Sequence, residues 1–320
     1  MGQQLPWRTW TALGLVYVVW GSTYLGIRFA VDGGLPPLLT AGVRHALAAV
    51  LLATFIAVRR GVAAFRATPR QWLTGGAIGL LLLLGGNGGV MLAEDHHLPS
   101  GLTALMVAGV PLFVVALRWL TRDLPSGRTL LGVLVGFGGL AVLLLPGSRP
   151  HGVAAIAAVE VVLASVLWSI GSFWAARTSL PADPLVATVS EMVGGGVGLL
   201  VAGALHGEHV PDHVTAKGWW ALAYLVVFGS VIAFTAYSWL LGSVPVSLTA
   251  TYAYVNPVVA VALGALLAGE RLSASSVVGG LITVAAVFLV VSQEGRRPRR
   301  LATDGYVPTD RQGRLRSSVT

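Results

Sequence analysis

Residues 10–31 read WTALGLVYVVWGSTYLGIRFAV, a run with a single charge, Arg28. A helix needs about 20 apolar residues to cross the hydrocarbon of a bilayer. The run is too long for the core of a secretory signal, and no small-residue cleavage site follows it. It is therefore expected to remain as a first membrane helix. Further apolar stretches are expected at 36–58, 71–93, 99–120, 127–146, 152–176, 185–206, 217–240, 245–268 and 273–293. Pro99 and Pro245 mark breaks where hydrophobicity hardly dips, because proline favours the first turn of a new helix. The expected fold class is an all-α integral membrane protein of ten transmembrane helices.

The composition agrees. Of 320 residues, 55% are hydrophobic and 11% charged. A soluble domain carries about 25% charged residues, so the deficit is the one hydrocarbon enforces. The apolar stretches use nearly the whole length and leave no room for a soluble catalytic domain. Cysteine is absent, which excludes disulfides, cysteine metal sites and thiol catalysis.

Shifted by 146 to 148 positions, the chain lines up with itself. Trp20-Gly21-Ser22 falls near Trp168-Ser169, Pro37-Leu38 on Pro184-Leu185, Arg44 on Glu191 and Trp72 on Trp219. Pro99-x-x-x-Thr103-Ala104 falls on Pro245-x-x-x-Thr249-Ala250, and Pro111 on Pro257. Two repeats are expected, 10–146 and 152–293, followed by a disordered basic tail at 294–320. An odd number of crossings per repeat makes the halves inverted, an architecture of secondary transporters.

Orientation follows from arginine and lysine placement. With the N-terminus in the cytoplasm, inside segments collect 16 basic residues and outside segments 4, with Arg44 inside the membrane. Both termini are expected to be cytoplasmic. The outside loops carry acids, Glu94 and Glu208 among them, and six of the seven histidines. The tail cluster Arg296, Arg297, Arg299 and Arg300 suits anionic lipid. It lacks the interleaved aromatics that nucleic acid would need.

Several strings carry a family resemblance. They include Val19-Trp-Gly-Ser-Thr-Tyr24, Ala41-Gly-Val-Arg44, Gly86-Asn-Gly88, Ala93-Glu94, Phe228-Gly-Ser230, Thr251-Tyr-Ala-Tyr-Val-Asn-Pro-Val258 and Gly269-Glu270-Arg-Leu-Ser273. Spread over residues 10 to 293, they resemble the EamA family of the drug/metabolite transporter superfamily, and within it the YedA-like exporters. The resemblance implies two inverted five-helix repeats and export of small metabolites or drugs across the bacterial inner membrane. It also implies a central cavity lined by helices 1–4 and 6–9, with helices 5 and 10 peripheral. It implies no particular substrate.

Polar residues within the spans are the candidate site, because lipid makes them costly. Arg44 and Glu191 occupy equivalent places in the two repeats. They either pair as an ion pair between the halves or divide between substrate and proton. Glu160, Glu191 and His45 are the candidates for proton coupling, with His45 expected on a different helical face from Arg44. Asn87 sits among glycines that give its amide access to a cavity. Tyr252 and Asn256 lie four apart and share a helical face. Pro257 frees a backbone carbonyl near position 253, and Pro111 makes the matching helix break in the first half. Trp20, Thr23, Trp168 and Ser172 complete the substrate-binding set with an aromatic-hydroxyl pattern suited to flat or cationic organic molecules.

Two patterns are expected to be decoys. Gly136-x-Gly138-x-x-Ala141 matches a dinucleotide fingerprint, yet no strand precedes it. His206, His209 and His213 have zinc-like spacing, but loop histidines are usually solvated and Pro211 interrupts them. No metal and no cofactor are expected, and no phosphate-binding loop for ATP is present. The expected partners are a small-molecule substrate and the lipid bilayer, with a homodimer compatible and no nucleic acid. A secondary exporter working by alternating access is the function expected. An importer, a channel or a scramblase of the same fold stays open, and a membrane-embedded enzyme is disfavoured by the absence of HExxH and G-x-S-x-G motifs.

Overall fold

The computed structural model describes residues 6–122, 126–144, 155–244, 249 and 251–294. Among the described residues there is no strand. In chain order the helices are α1 (Trp7–Asp32), α2 (Pro37–Arg60), α3 (Pro69–Asp95), α4 (Ser100–Leu120), α5 (Gly127–Leu144), α6 (Ala155–Ala175), α7 (Pro184–Leu205), α8 (Ala216–Leu240), α9 (Tyr252–Ala268) and α10 (Ala274–Glu294). Seven of them, all but α5, α9 and α10, are long and apolar enough to cross a membrane. Pro245, Arg149, His151 and the arginine tail beyond Glu294 lie outside the described residues.

Local chemistry sets the helix starts. Thr68 and Gln71 form a reciprocal capping box in front of Pro69, satisfying two of the four orphan amides of a helix start. Asp183 caps α7 by accepting the Leu185 amide at 2.9 Å, again in front of a proline. α2 and α4 follow Pro36 and Pro99, whose side chains carry no group that can cap, and their first amides take distant carboxylates. Glu208 accepts from Leu38 and Leu39, and Glu270 accepts from Ser100 and Gly101. These bonds tie segments after α7 and α9 to the first half of the chain.

Helix exteriors expose Leu47, Val50, Leu51, Phe55, Val197 and Val201. An apolar surface of this kind suits lipid contact. The interior is closed by small residues. A Cβ placed on Gly79 of α3 would stand 1.9 Å from the Glu191 carbonyl oxygen of α7, and one on Gly194 2.4 Å from Gly76 Cα. Small residues of this kind let helix backbones meet without a side chain between them. α5 and α10 pair in the same way, Gly139 against Thr283 and Gly132 against Val290.

α2 and α7 pack antiparallel. Gly42 faces Leu200, and Gly196 faces Ala46. The registers then run in opposite directions, which bears directly on Arg44 and Glu191.

Candidate functional site

Three helices contain segments of wider, π-type turn: Val16–Trp20 in α1, Leu80–Gly88 in α3 and Leu225–Phe234 in α8. Such turns re-aim side chains and occur often at functional sites. All three supply groups to one buried cluster. Trp20 ends the first, Gly86 and Asn87 lie in the second, and Gly229 and Ser230 lie in the third.

A partly open cavity lies at this cluster. α1 contributes Trp20, Thr23, Tyr24 and Ile27. α2 contributes Arg44, and α3 contributes Gly86, Asn87 and Val90. The remaining walls are Val107 and Val110 of α4, Ala164, Ser165 and Trp168 of α6, and Tyr252 and Asn256 of α9.

Aromatic rings form one wall. Trp20 stands edge-on to Trp168, with centroids 5.9 Å apart, and edge-on to Tyr252 at 5.3 Å. Tyr237 of α8 closes the group from behind, 4.8 Å from Trp20 and 5.8 Å from Tyr252. The Trp20 indole N–H donates to the Gly229 carbonyl at 3.2 Å, which fixes the ring. Asn256, with its amide nitrogen turned inward, donates to the carbonyls of Tyr17 and Tyr252 at 3.1 and 3.2 Å.

Arg44 is the charged element of the cavity. It is 3% exposed, and no carboxylate lies within ion-pair distance of it among the described residues. Its Nε donates to Ser230 Oγ at 2.8 Å and its Nη1 donates to Asn87 Oδ1 at 3.4 Å. Gly229 makes the room, since a Cβ there would stand 2.9 Å from Nη2. An arginine at mid-membrane costs about 3 kcal/mol on insertion scales. Two hydrogen bonds from a charged donor contribute roughly 1.5–3 kcal/mol each. These neutral contacts offset part of that cost, and the guanidinium keeps donors for an incoming group.

The pairing of Arg44 with Glu191 does not occur. In the antiparallel packing, Gly42 opposite Leu200 and Ala46 opposite Gly196 put Arg44 level with about position 198. Glu191 is then seven residues away along the axis, about 10 Å at 1.5 Å per residue. The sequence repeat matches the two positions, but antiparallel helices bring matched positions together only near the point where the two registers cross. Glu191 is buried with its backbone pressed on Gly79, and no hydrogen bond to its carboxylate is found among the described residues.

Other expectations divide. Trp20, Thr23, Arg44, Asn87, Trp168, Tyr252 and Asn256 share the cavity, whereas Ser172 and Glu191 are not among its walls. Ser172 donates to the Trp168 carbonyl of its own helix. His45 is not turned away from Arg44: its Nδ1 lies 3.5 Å from the same Ser230 hydroxyl. Glu160 pairs with His96 at 2.9 Å, away from the cavity walls. α4 is interrupted at Ala108–Gly109, with Pro111 in the first turn of the continuing helix, while α9 runs through Pro257 unbroken. Ser169 Oγ reaches the Val110 carbonyl at the α4 break, 3.2 Å away. Glu94 is not a loop residue. It lies in the last turn of α3 and is fully buried. Gly229, Ser230 and Tyr237 belong to the cluster and carry no charge; the string Phe228-Gly-Ser230 signals the first two, and no string signals Tyr237. Among the described residues, no three histidine or acidic side chains gather to hold a metal ion.

The chain is 38% identical over 283 residues to the inner membrane transporter YedA of Escherichia coli, covering 87% of this chain and 89% of that one. It is 25% identical to a probable amino-acid metabolite efflux pump of Salmonella typhimurium, covering 90% of this chain and 95% of the pump. One solved crystal structure superposes with a TM-score of 0.62 at 19% identity, covering 91% of this chain and 98% of that one, a likeness of fold. The model of the EamA-like transporter family matches twice, over residues 8–145 and 155–292. The chain belongs to the EamA-like transporter family.

Proposed function

We propose that this protein is a secondary transporter of the bacterial inner membrane that exports small organic anions or zwitterions by alternating access. One observation carries the reading: Arg44 is a buried cation without an acidic partner among the described residues, facing a cavity walled by Trp20, Trp168 and Tyr252. The guanidinium offers a planar fork for a carboxylate, and the rings suit an apolar or aromatic body. Small organic carboxylates, amino acids among them, combine the two. The name of the Salmonella relative, an amino-acid metabolite efflux pump, agrees with this class.

In this reading the chain crosses the bilayer ten times in two inverted five-helix halves, 10–146 and 152–293, and both termini lie in the cytoplasm. The twofold family match and the arginine asymmetry support it. Transport is exchanged against protons, and the work is transport without catalysis. The test is counterflow of radiolabelled phenylalanine and a panel of small carboxylates in liposomes holding the purified protein. Saturable uptake, reduced at least about tenfold in Arg44→Ala and driven by an imposed pH gradient, is expected. Flux that does not saturate across the whole panel would instead indicate a channel.

A further inference from the structure

We propose that Glu94 is a proton-binding site, the carboxyl group through which a proton enters the transport cycle. Glu94 is 0% exposed, and neither carboxyl oxygen has a hydrogen-bond partner among the described residues. It stands in the last turn of α3, four residues beyond Val90, which lines the cavity. That is one helical turn, about 6 Å, past the cavity wall. An ionised carboxylate in this place would have no hydrogen-bond donor of the described residues to compensate it, at a cost proteins avoid by neutralising the group. In the conformation described, Glu94 therefore carries its proton.

The surrounding groups are committed elsewhere. On α1, Arg28 Nε holds Asp32 at 2.9 Å, and its Nη1 reaches the Glu94 backbone carbonyl at 3.4 Å, leaving the carboxyl untouched. Tyr24 of α1 also lies within electrostatic reach. From the segment after α9, Glu270 faces the group, its oxygens taken by Ser100 and Gly101. On α6, Glu160 holds His96 of the next turn. The ionisable groups of α2 nearest in sequence to its start, Arg44 and His45, meet at Ser230. α4 has one, Arg118, at its far end. On its own strand of chain, Asp95, His96 and His97 follow it.

Arg28 is placed as the switch. Its guanidinium already touches the residue at the wrong oxygen. A small slide of α1 along α3 would carry it from the carbonyl to the carboxyl. The Glu94 O–H bond then breaks, the proton passes to water at that end of the protein, and the carboxylate keeps the electron pair and is held by Arg28. Reversal takes a proton back up.

This inference rests on the transport reading, but its first test does not use transport. Infrared difference spectra of the full-length protein in lipid, recorded across a pH titration, should contain the carbonyl band of a protonated carboxylic acid. That band should vanish in Glu94→Gln and shift in Glu94→Asp, which keeps an acid and covers the case in which the amide variant does not fold. A band unmoved in both variants, or no such band in the unmodified protein, overturns the site. In liposomes, Glu94→Gln should keep phenylalanine counterflow and lose its acceleration by a proton gradient; a retained gradient response overturns the coupling role. Absence of all transport would sink the functional reading alone, since the spectrum decides the site by itself.

Discussion

Glu208 Oε2 accepts the backbone N–H of Leu39 at 2.7 Å, across 169 residues of chain. The helix start it satisfies has only prolines before it. Replacing a cap of this kind costs about 1 kcal/mol. Glu208→Ala should lower the melting temperature of the solubilised protein, and Glu208→Gln, which keeps an acceptor, should lower it less. Equal melting of all three proteins would show that water replaces the carboxylate without loss.

Arg44→Ala should reduce initial transport rates at least about tenfold, the loss expected for one charge-assisted contact. Arg44→Lys should not restore them, because an ammonium cannot span Ser230 and Asn87 as the planar fork does. Normal membrane insertion, read by protein yield, separates this from misfolding. Full activity of the lysine variant would reduce the site to a requirement for charge.

The α3–α7 contact gives an asymmetric pair of variants. Gly194→Ala places a Cβ 2.4 Å from the Gly76 backbone, whereas Gly76→Ala meets Gly194 only at 3.8 Å. Overpacking costs roughly 1–3 kcal/mol, and here backbone cannot step aside. Gly194→Ala should accumulate poorly and melt early, while Gly76→Ala should behave like the parent. The comparison is read in one thermal-shift experiment.

Tyr252→Ala removes an edge contact to Trp20 and should raise KM roughly two- to tenfold for an aromatic substrate. The rise should be smaller for an aliphatic one. Unchanged KM for both classes, with Asn256→Ala equally silent, would move the binding site away from α9.

Much of this arrangement was legible in the residues. The apolar runs announced the helices, and the rarity of polar groups within them singled out Arg44, Asn87, Tyr252 and Asn256. What failed did so for physical reasons. The repeat made Arg44 and Glu191 equivalent, but a sequence shift says nothing about register along antiparallel helices. Hydrophobicity falls at Glu94, so the residue reads as loop, although the helix continues two residues past position 93, to Asp95. The wide turns of α1, α3 and α8 leave no mark in composition, and they decide which residues face inward. Ser172 shares the aromatic-hydroxyl pattern with Trp168, yet its hydroxyl bonds the Trp168 carbonyl and meets Tyr237 instead of lining the cavity.

The contact of Gly79 with the Glu191 carbonyl carries a consequence for heritable variation. Glycine is the only residue without a Cβ, so every missense change at its codon adds at least one carbon where none fits. A chain of this family can drift along its lipid-facing helix surfaces, where one apolar residue serves as well as another. It cannot drift at Gly79 or Gly194 without separating α3 from α7. In a library covering every single substitution, these positions should appear as a bare column beside richly populated neighbours, and any survivor there should carry a second change that moves a whole helix.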